Sequence, residues 1–398
     1  MSPARDLARE RGIALYLVGG AVRDQLLGRP RRIVDVDLVV ESDAAGFARE
    51  LARRTGSAVK LHGRFGTAVL EGPSGDRLDV ATTRAEDYER PGALPRVKSG
   101  SIDDDLARRD FTVNAMAIEI ARAGRPRLLD PFGGREDLSQ GLVRMLHPRS
   151  PFDDPTRAFR AVRYANRLGF RIERGTRRWI REAVGKGVLE AVSGDRVRRE
   201  IALLFSERGR AAAARHLAAL GLAAAVHPSL RYDAAAARRL RAAERLATAS
   251  GLDTTWVVYL LSWMGETSER AAEGIAARLN LPRAAAAAVR GWPETWRRLA
   301  AAAGAGHSHQ LAAVEAVSDD ELLAAAALLP ARAGRRLLEA RHAAATLSLT
   351  IRGRDLLAAG VAPGPAIGRA LSATLSARRE GAIRPEEELS FALKAARS

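Results

Sequence analysis

The chain has 398 residues, more than one ordinary domain, and its length predicts two to four domains. Lys and Arg number 64 against 47 Asp and Glu, and the resulting formal charge of +17 favours a polyanionic partner such as nucleic acid. The absence of cysteine excludes disulfides, Cys-ligated zinc, iron–sulfur clusters and thiol catalysis.

From the sequence we expect neither a membrane span nor a secretory leader. No stretch approaches the roughly 18–20 apolar residues that a transmembrane helix needs. Residues 1–12 contain Asp6 and Glu10 and lack the apolar core of a signal peptide. We therefore expect a cytoplasmic protein with no membrane partner, and no protein partner is implied. An Arg-rich coding bias is the alternative explanation of the charge.

The first 140 residues alternate strand-like and helix-like patterns. Apolar or alternating runs predict strands at 15–18, 33–40, 68–70 and 77–80. Helical spacing predicts helices at 22–27, 44–54 and 111–119. This part of the chain is predicted to be a mixed α/β domain.

Beyond residue 134 the strand patterns thin out. Amphipathic patterns predict helices at 156–168, 176–183 and 196–205. From about residue 206 the chain is Ala-rich and helical, with breaks predicted near Gly221, His227-Pro228, Gly251, Leu281-Pro282 and Trp292-Pro293, and a loop at 360–365.

Asp35 and Asp37 lie two residues apart in a predicted strand, so their carboxylates project from the same face. This geometry suits oxygen coordination of one or two divalent cations, which activate an attacking hydroxyl and stabilise a leaving pyrophosphate. Two solvated Asp residues on an exposed face are the alternative, and for an isolated pair that alternative is preferred.

The upstream motif G-G-A-V-R-D at 19–24 favours the catalytic interpretation. Gly19 and Gly20 let the backbone approach a phosphate at the start of a helix. Arg23 adds a forked donor for phosphate oxygens, and Asp24 follows it. A strand–turn–helix junction that needs Gly only for its geometry is the alternative.

Two further clusters are candidates for the same site. Asp79 is a third carboxylate if its strand pairs beside that of Asp35, and a surface Asp paired with Arg77 or Arg84 is equally consistent with the sequence. In the motif at 108–115, Arg109 is a candidate triphosphate ligand and Asn114 a candidate for ordering the turn. An ordinary helix start capped by Asp110 is the alternative there.

The segment 153–163 is the most informative. Arg157, Arg160 and Arg163 recur every third residue and form one ridge of a helix that Asp154 begins. A carboxylate beside a guanidinium matches the amino donor and ring-nitrogen acceptor that cytosine and adenine share. Asp154 and Arg157 are therefore candidates for accepting CTP and ATP while rejecting UTP and GTP. A plain helix cap at Asp154 is the alternative.

Taken together, these motifs resemble the class II tRNA nucleotidyltransferase and bacterial poly(A) polymerase family. The resemblance covers residues 13–205 well and 348–395 moderately, whereas 206–347 show only helices. Its carriers are G-G-A-V-R-D at 19–24, D-V-D at 35–37, R-R-D-F-T-V-N-A at 108–115, D-P-F-G-G at 130–134, D-D-P-T-R-A-F-R-A-V-R at 153–163 and G-D-R-V-R-R-E at 194–200. The family usually has Glu where this chain has Asp153.

The resemblance implies an α+β fold, with a polymerase-β-like nucleotidyltransferase palm at 1–140 and an all-α neck at 141–205, body at 206–305 and tail at 306–398. It implies that Asp35 and Asp37 bind Mg²⁺ and that Gly20, Arg23 and Arg109 contact the nucleotide. It further implies base recognition by Asp154 and Arg157, completed by Arg160 and Arg163.

The expected activity is template-independent addition of CMP and AMP, from CTP and ATP, to the 3′ end of tRNA. An A-adding tRNA nucleotidyltransferase or a poly(A) polymerase is the alternative within the family, and a non-catalytic RNA-binding helical protein is the alternative outside it. Residues 81–105 resemble a complete version of the family's flexible loop, which disfavours an enzyme that adds only the two C residues.

Overall fold

A computed structural model describes residues 2–28, 35–62, 66–121, 125–346 and 348–397. The chain divides into two compact units, Met1–Ala225 and Val226–Ser398. In the described part of the chain, no helix is long and apolar enough to cross a membrane. Ile33 and Val34 of the predicted strand 33–40 lie outside the described residues.

The first unit is built on a seven-stranded mixed sheet in the order β3-β4-β5-β2-β1-β8-β9. Its strands are β1 (Leu15–Val18), β2 (Asp35–Val40), β3 (Ala58–His62), β4 (Thr67–Glu71), β5 (Arg77–Thr82), β8 (Ala117–Glu119) and β9 (Arg127–Leu129). The pair β2 and β5 is parallel and the other pairs are antiparallel. A separate hairpin is formed by β6 (Arg84–Asp87) and β7 (Arg96–Ser99).

The helices that accompany the sheet are α1 (Ser2–Glu10), α2 (Gly20–Leu26), α3 (Ala44–Thr55), α4 (Ile102–Ala107) and α5 (Gly134–Gln140).

The two faces of the sheet differ in what they contact. Val36, Leu38 and Val40 of β2 belong to the same buried cluster as Leu7 of α1 and Phe47 of α3. Successive strand residues face opposite sides, so Asp37 lies on the face away from that cluster.

The helix predicted at 111–119 is wrong. Residues Thr112–Asn114 form one 3₁₀ turn, and Ala117–Glu119 form β8 between β1 and β9. A short apolar run fits a buried strand as well as a helix. Here pairing with two neighbouring strands decides the outcome.

The remainder of the first unit is mostly helical. Its elements are β10 (Leu142–Val143), α6 (Ser150–Asp153), α7 (Thr156–Leu168), β11 (Arg171–Ile172), α8 (Arg174–Gly185), α9 (Gly194–Ser206), α10 (Arg210–Ala219) and α11 (Leu222–Val226), which reaches the unit boundary. The segment 141–205, predicted to be an all-α neck, is therefore not all-α. Its strands β10 and β11 pair as a short parallel ladder that ties residues 142–143 to the residues after α7.

The second unit is helical throughout its described residues. Its helices are α12 (Ala234–Ala249), α13 (Val257–Met264), α14 (Glu269–Arg278), α15 (Arg283–Ala303), α16 (His307–Glu315), α17 (Asp319–Leu328), α18 (Ala331–Thr346), α19 (Gly353–Ala358), α20 (Pro365–Arg379) and α21 (Glu388–Arg397). Helix α13 is buried along its whole length. The predicted breaks near Gly221, Gly251 and Leu281 coincide with helix ends.

The break predicted at Trp292-Pro293 is wrong, because Pro293 lies inside α15. Proline removes one backbone donor and normally ends a helix. Here the neighbouring Trp292 is fully buried and its Nε1 donates to the carbonyl of Gly265 at 2.8 Å. Packing of this side chain offsets the lost hydrogen bond and keeps α15 continuous.

Candidate active site

The turn between β1 and α2 brings backbone close to a cationic side chain. Gly19 has a φ of +68°, and a Cβ built there would lie 2.6 Å from Nη1 of Arg109. A side chain at Gly19 is therefore strained by its backbone and blocked by its neighbour. The next residue, Gly20, begins α2, so the turn presents small residues at a helix start.

The acidic residues of β2 lie on the same sheet as Asp79. Asp35 begins β2, although its side chain lies outside the described part of the structure, and Asp37 is exposed. Asp79 of β5 is in register with Asp37 on the parallel neighbouring strand. The Asp79 carboxylate accepts from Nε and Nη2 of Arg77 at 2.9 and 3.2 Å.

Arg108 and Arg109 both donate hydrogen bonds to one buried carboxylate. Asp105, which is fully buried, accepts from Arg108 at 2.6 Å and from Arg109 at 3.0 Å. Burial opposes the Asp105 charge, but the attraction of Arg109 and Arg108 lowers the pKa of that carboxyl below its ordinary value. Asp105 therefore stays ionised and fixes both guanidinium groups at the site.

A second buried carboxylate links the palm to α7. Asp110 accepts from the Asn114 side chain at 2.9 Å and from Nε of Arg160 at 2.8 Å. Asn114 in turn accepts from Nη1 of Arg23 at 2.7 Å. Burial opposes the charge of Asp110, but Arg160 and the Asn114 hydrogen bond lower its pKa. Arg23 also donates to Asp24 at 2.8 Å, so this pair is locked at the start of α2.

The two candidate base-reading side chains are pre-positioned. Oδ1 of Asp154 accepts from the backbone N and the hydroxyl of Thr156, and from Nη2 of Arg196 at 2.7 Å. Oδ2 of Asp154 has no hydrogen-bond partner among the described residues. Arg157 donates to the Ser150 hydroxyl at 2.8 Å and to the carbonyl of Arg108 at 2.6 Å. One carboxylate oxygen is thus left for a ligand.

Arg163 belongs to the packing around Tyr164 rather than to the cavity. It is buried and donates to Glu200 at 3.1 Å. The Tyr164 ring lies 5.3–5.6 Å from four guanidinium carbons, a cation–π cluster that stabilises closely packed arginines. These arginines are Arg23, Arg160, Arg163 and Arg167.

One cavity of about 350 Å³, called here the palm cavity, brings most of the candidate residues together. The candidates that line it are Gly19, Gly20, Asp37, Arg109, Asn114, Asp154, Arg157 and Arg160. The candidates that do not line it are Arg23, Asp24, Asp79 and Arg163.

Sequence reasoning missed several residues of the palm cavity. Glu86 of the β6–β7 hairpin accepts from Arg108 at 3.0 Å and from the Tyr88 hydroxyl at 3.0 Å. Burial, followed by the charge of Glu86, raises the pKa of Tyr88 against the opposing effect of Arg157. No local pattern marks Glu86, Tyr88 or Tyr164, because their importance comes from contacts distant in sequence.

In the described part of the chain, no group of three or more His, Asp or Glu side chains is arranged to hold a metal. That part does not include the side chain of Asp35. Asp37 presents a carboxylate of β2 to the palm cavity.

Two sequence families match parts of the chain. Residues 15–144 match the poly A polymerase head domain, and residues 169–233 match a family described as the probable RNA and SrmB-binding site of polymerase A. A CC-adding tRNA nucleotidyltransferase of Deinococcus radiodurans is 32% identical over 392 residues, covering 98% of this chain and 92% of that protein. The chain belongs to the tRNA nucleotidyltransferase and poly(A) polymerase family.

The chain is also similar in sequence or structure to other members of this family. An A-adding tRNA nucleotidyltransferase of Geobacter sulfurreducens is 40% identical over 286 residues, covering 70% of this chain. The structure of the Thermotoga maritima CCA-adding enzyme complexed with tRNA is 28% identical, with a TM-score of 0.80 over 100% of this chain and 95% of that one. The chain spans less than half the length of several curated relatives, including 32% of the Geobacter protein.

Proposed function

We propose that the protein adds CMP and AMP, from CTP and ATP, to the 3′ end of tRNA without a nucleic-acid template. In each step the terminal 3′-hydroxyl oxygen bonds to the α-phosphorus, pyrophosphate leaves, and the hydroxyl proton is released. The observation that carries the proposal is that Asp37 and the Asp154–Arg157 pair line one cavity. Chemistry and base selection then act on the same nucleotide.

Asp35 and Asp37 are proposed to hold Mg²⁺, the divalent ion that oxygen donors favour at phosphate-transfer sites. The fit rests on Asp37, whose exposed carboxylate faces the palm cavity, and on the position of Asp35 two residues away in β2. When bound, the metal supplies charge neutralisation at the reacting phosphate and lowers the pKa of the attacking hydroxyl. Asp79, in register with Asp37, is proposed as a third carboxylate.

The phosphates are proposed to lie against Gly19, Gly20 and Arg109. Small residues at the turn allow close approach, and Arg109 is oriented by Asp105. Because Asp105 pre-positions this guanidinium, little reorganisation is needed when charge moves during the reaction. Arg23 and Asp24, which do not line the cavity, are paired at the start of α2, and Asn114, which lines it, joins Arg23 to Asp110.

Base choice is assigned to Asp154 and Arg157. The unpartnered Oδ2 of Asp154 accepts an amino N–H from cytosine or adenine, and Arg157 donates to the adjacent ring nitrogen. Uracil and guanine present these groups in the reverse order. Arg160 and Arg163, which pair with Asp110 and Glu200, are proposed to complete the site.

We also propose the division into a head at 1–140, a neck at 141–205, a body at 206–305 and a tail at 306–398. The activity is placed in the cytoplasm, with tRNA as the macromolecular substrate. The support for tRNA is membership of the family and similarity to an enzyme whose structure contains tRNA.

A-only addition is the second candidate. It is favoured by the 40% identity to an A-adding enzyme over 70% of this chain. The two candidates predict different behaviour with a tRNA that lacks all three terminal residues, because an A-adding enzyme does not build the two C residues first.

The test is a primer-extension gel with Mg²⁺ and three RNAs: tRNA lacking CCA, the same tRNA ending in CC, and an unstructured oligonucleotide. Each receives CTP, ATP, both, or UTP. Addition of CCA to the first and A to the second, followed by a stop, supports the proposal. Growth only on the CC-ending tRNA supports A-only addition. Long A tails on the oligonucleotide, or no extension of any RNA by folded protein, would overturn it.

A further inference from the structure

A second cavity of about 530 Å³ lies in the neck, between the β10–β11 ladder and helices α8 and α10. We call it the neck cavity. It shares no lining residue with the palm cavity. Its apolar lining is formed by Leu142, Phe170, Ile172, Ala219 and Leu220, and its polar lining by Arg144, Arg171, Glu173, Arg174, Arg177, Arg181 and His216.

The one acidic side chain of the neck cavity is already engaged. Glu173 accepts from the backbone N–H groups of Gly175 and Thr176, both at 2.8 Å, and lies 3.6 Å from Arg144. Arg144 is also paired with Asp137 at 2.9 Å. Because Glu173 caps α8 and faces Arg144, its charge is not available to offset the other arginines of the cavity.

Three of the arginines at this cavity have no ion pair of this kind among the described residues. The guanidinium groups of Arg171, Arg174 and Arg177 are exposed and make no ion pair or hydrogen bond with the described residues. Arg174 and Arg177 are three residues apart and therefore share a face of α8. Unpaired like charges side by side repel one another, and an anion placed between them removes that repulsion.

His216 supplies a second, independent observation. Its Nδ1 is buried and has no hydrogen-bond partner among the described residues. A buried polar atom without a partner is unfavourable, and a bound polar ligand removes that cost. His216 lines the same cavity as the three arginines and the apolar residues.

We propose that the neck cavity binds one phosphodiester of the RNA substrate, with its phosphate on Arg171, Arg174 and Arg177. The adjoining sugar and base pack on the floor of Phe170 and Leu220. This proposal rests on the proposed function, because it assumes that the substrate is an RNA. The segment matched to an RNA-binding family, 169–233, contains these residues but does not single out a site within it.

An RNA phosphodiester and a small phosphate compound offer the same chemistry to arginine. The exposed position of the three guanidinium groups favours the polymer, because a neighbouring phosphate then continues along the surface. The test therefore compares the binding of RNA with the binding of AMP and of inorganic phosphate.

Arg177→Glu and Arg178→Glu form a matched pair. Both residues are exposed on α8, but Arg178 does not line the neck cavity. Affinity for tRNA lacking CCA is measured by fluorescence anisotropy across a salt series, and CTP kinetics are measured in parallel. For Arg177→Glu we expect a Kd at least roughly 10-fold weaker, a salt slope lower by about 1, and unchanged KM for CTP and kcat at saturating tRNA. Arg178→Glu is expected to change the Kd less than about 3-fold.

Equal weakening by the two substitutions would overturn the site, since it would show only a general loss of charge. A raised KM for CTP would assign the cavity to a small ligand instead. So would a tRNA Kd unchanged by Arg177→Glu, combined with binding of millimolar AMP or phosphate to the wild type but not to the variant. Arg171→Glu, on β11, provides a second variant if Arg177→Glu does not fold. The binding measurement does not need catalysis. If the wild type binds tRNA but is inactive, and Arg177→Glu still weakens binding more than Arg178→Glu does, the result contradicts the proposed function but supports the binding site.

Discussion

The palm cavity and the neck cavity are both lined by arginines, but these are held differently. In the palm cavity Arg108, Arg109 and Arg160 are fixed by buried carboxylates, and Arg157 by a hydroxyl and a carbonyl. In the neck cavity Arg171, Arg174 and Arg177 have no such partners in the described structure. Fixed guanidinium groups suit a reaction that requires exact placement, whereas unpaired ones suit attraction of a flexible polyanion. Substitutions in the two cavities should therefore affect different kinetic constants.

The largest effect is expected at Asp37. Replacing Asp37 with Asn removes a charged metal ligand from the palm cavity, and the loss of several kcal/mol of transition-state stabilisation lowers kcat by at least about 10³-fold. Melting temperature should be unchanged, because the side chain is exposed. Asp76→Asn, in the exposed β4–β5 turn, is the control. Single-turnover extension of tRNA measures the effect, and wild-type activity in Asp37→Asn would contradict it.

The second-largest effect is expected on the free energy of unfolding, where a buried ion pair should matter more than an exposed one. Glu200→Ala leaves Arg163 buried without its principal partner, so we expect the free energy of unfolding to fall by about 3–5 kcal/mol. Urea denaturation measures this change. The control is Glu182→Ala, which breaks an exposed pair with Lys186 and should leave the midpoint unchanged. Equal midpoints for the two variants would show that the Arg163–Glu200 pair is not structurally important.

Base choice should change with Asp154. Asp154→Ala removes the acceptor for the amino group, and we expect discrimination against UTP to fall by about 1–3 kcal/mol, or roughly 5- to 150-fold. The Kd for tRNA should remain close to that of the wild type. The measurement is the ratio of kcat/KM for CTP and UTP on tRNA lacking CCA. Unaltered rejection of UTP would refute base reading by this carboxylate.

Arg196 should affect the same ratio by a smaller amount. It donates to Oδ1 of Asp154 at 2.7 Å and to the carbonyl of Gly92 at 3.0 Å, so it orients the carboxylate against the loop that connects β6 to β7. For Arg196→Ala we expect about 1 kcal/mol less discrimination, and Arg196→Lys should restore part of it. Combining Arg196→Ala with Asp154→Ala should add nothing, whereas additive effects would show that Arg196 acts elsewhere.

The smallest effect is a dependence of stability on pH. The pKa values of Asp105 and Asp110 lie below the ordinary value of 3.8 in the folded protein. Their stabilisation is therefore fully present above the unfolded pKa and is lost as pH falls through the lower folded pKa. We expect the melting temperature to fall below about pH 4, and Asp110→Asn to make that fall shallower. An identical acid profile for this variant would show that Asp110 does not contribute.

The sequence was sufficient to predict those strands and helices whose residue pattern has only one structural interpretation. Alternating apolar residues predicted β2, and the strands predicted at 68–70 and 77–80 lie within β4 and β5. Helical spacing predicted α7 with the bounds that the structure gives. The fold class and the family are confirmed by the structure and the relatives, apart from the short β10–β11 ladder.

What the sequence did not predict depends on contacts between distant residues. Residues 111–119 have apolar positions compatible with a helix, and only pairing with β1 and β9 makes part of them a strand. Glu86 and Tyr88 reach the palm cavity because a hairpin folds back onto Arg108 and Arg157. The pairing of Asp79 with Arg77 was one of two open alternatives, and its catalytic role stays a prediction.

The most direct test of the central claim is the sequence of the 3′ end made by the purified protein. A tRNA lacking CCA would be incubated with Mg²⁺ and all four nucleoside triphosphates at equal concentration, and the products would be sequenced, with Asp37→Asn alongside. We expect extended molecules to end in CCA, with no further residues, and we expect Asp37→Asn to yield none. Ends containing U or G, long A tails, or equal extension by Asp37→Asn would contradict it.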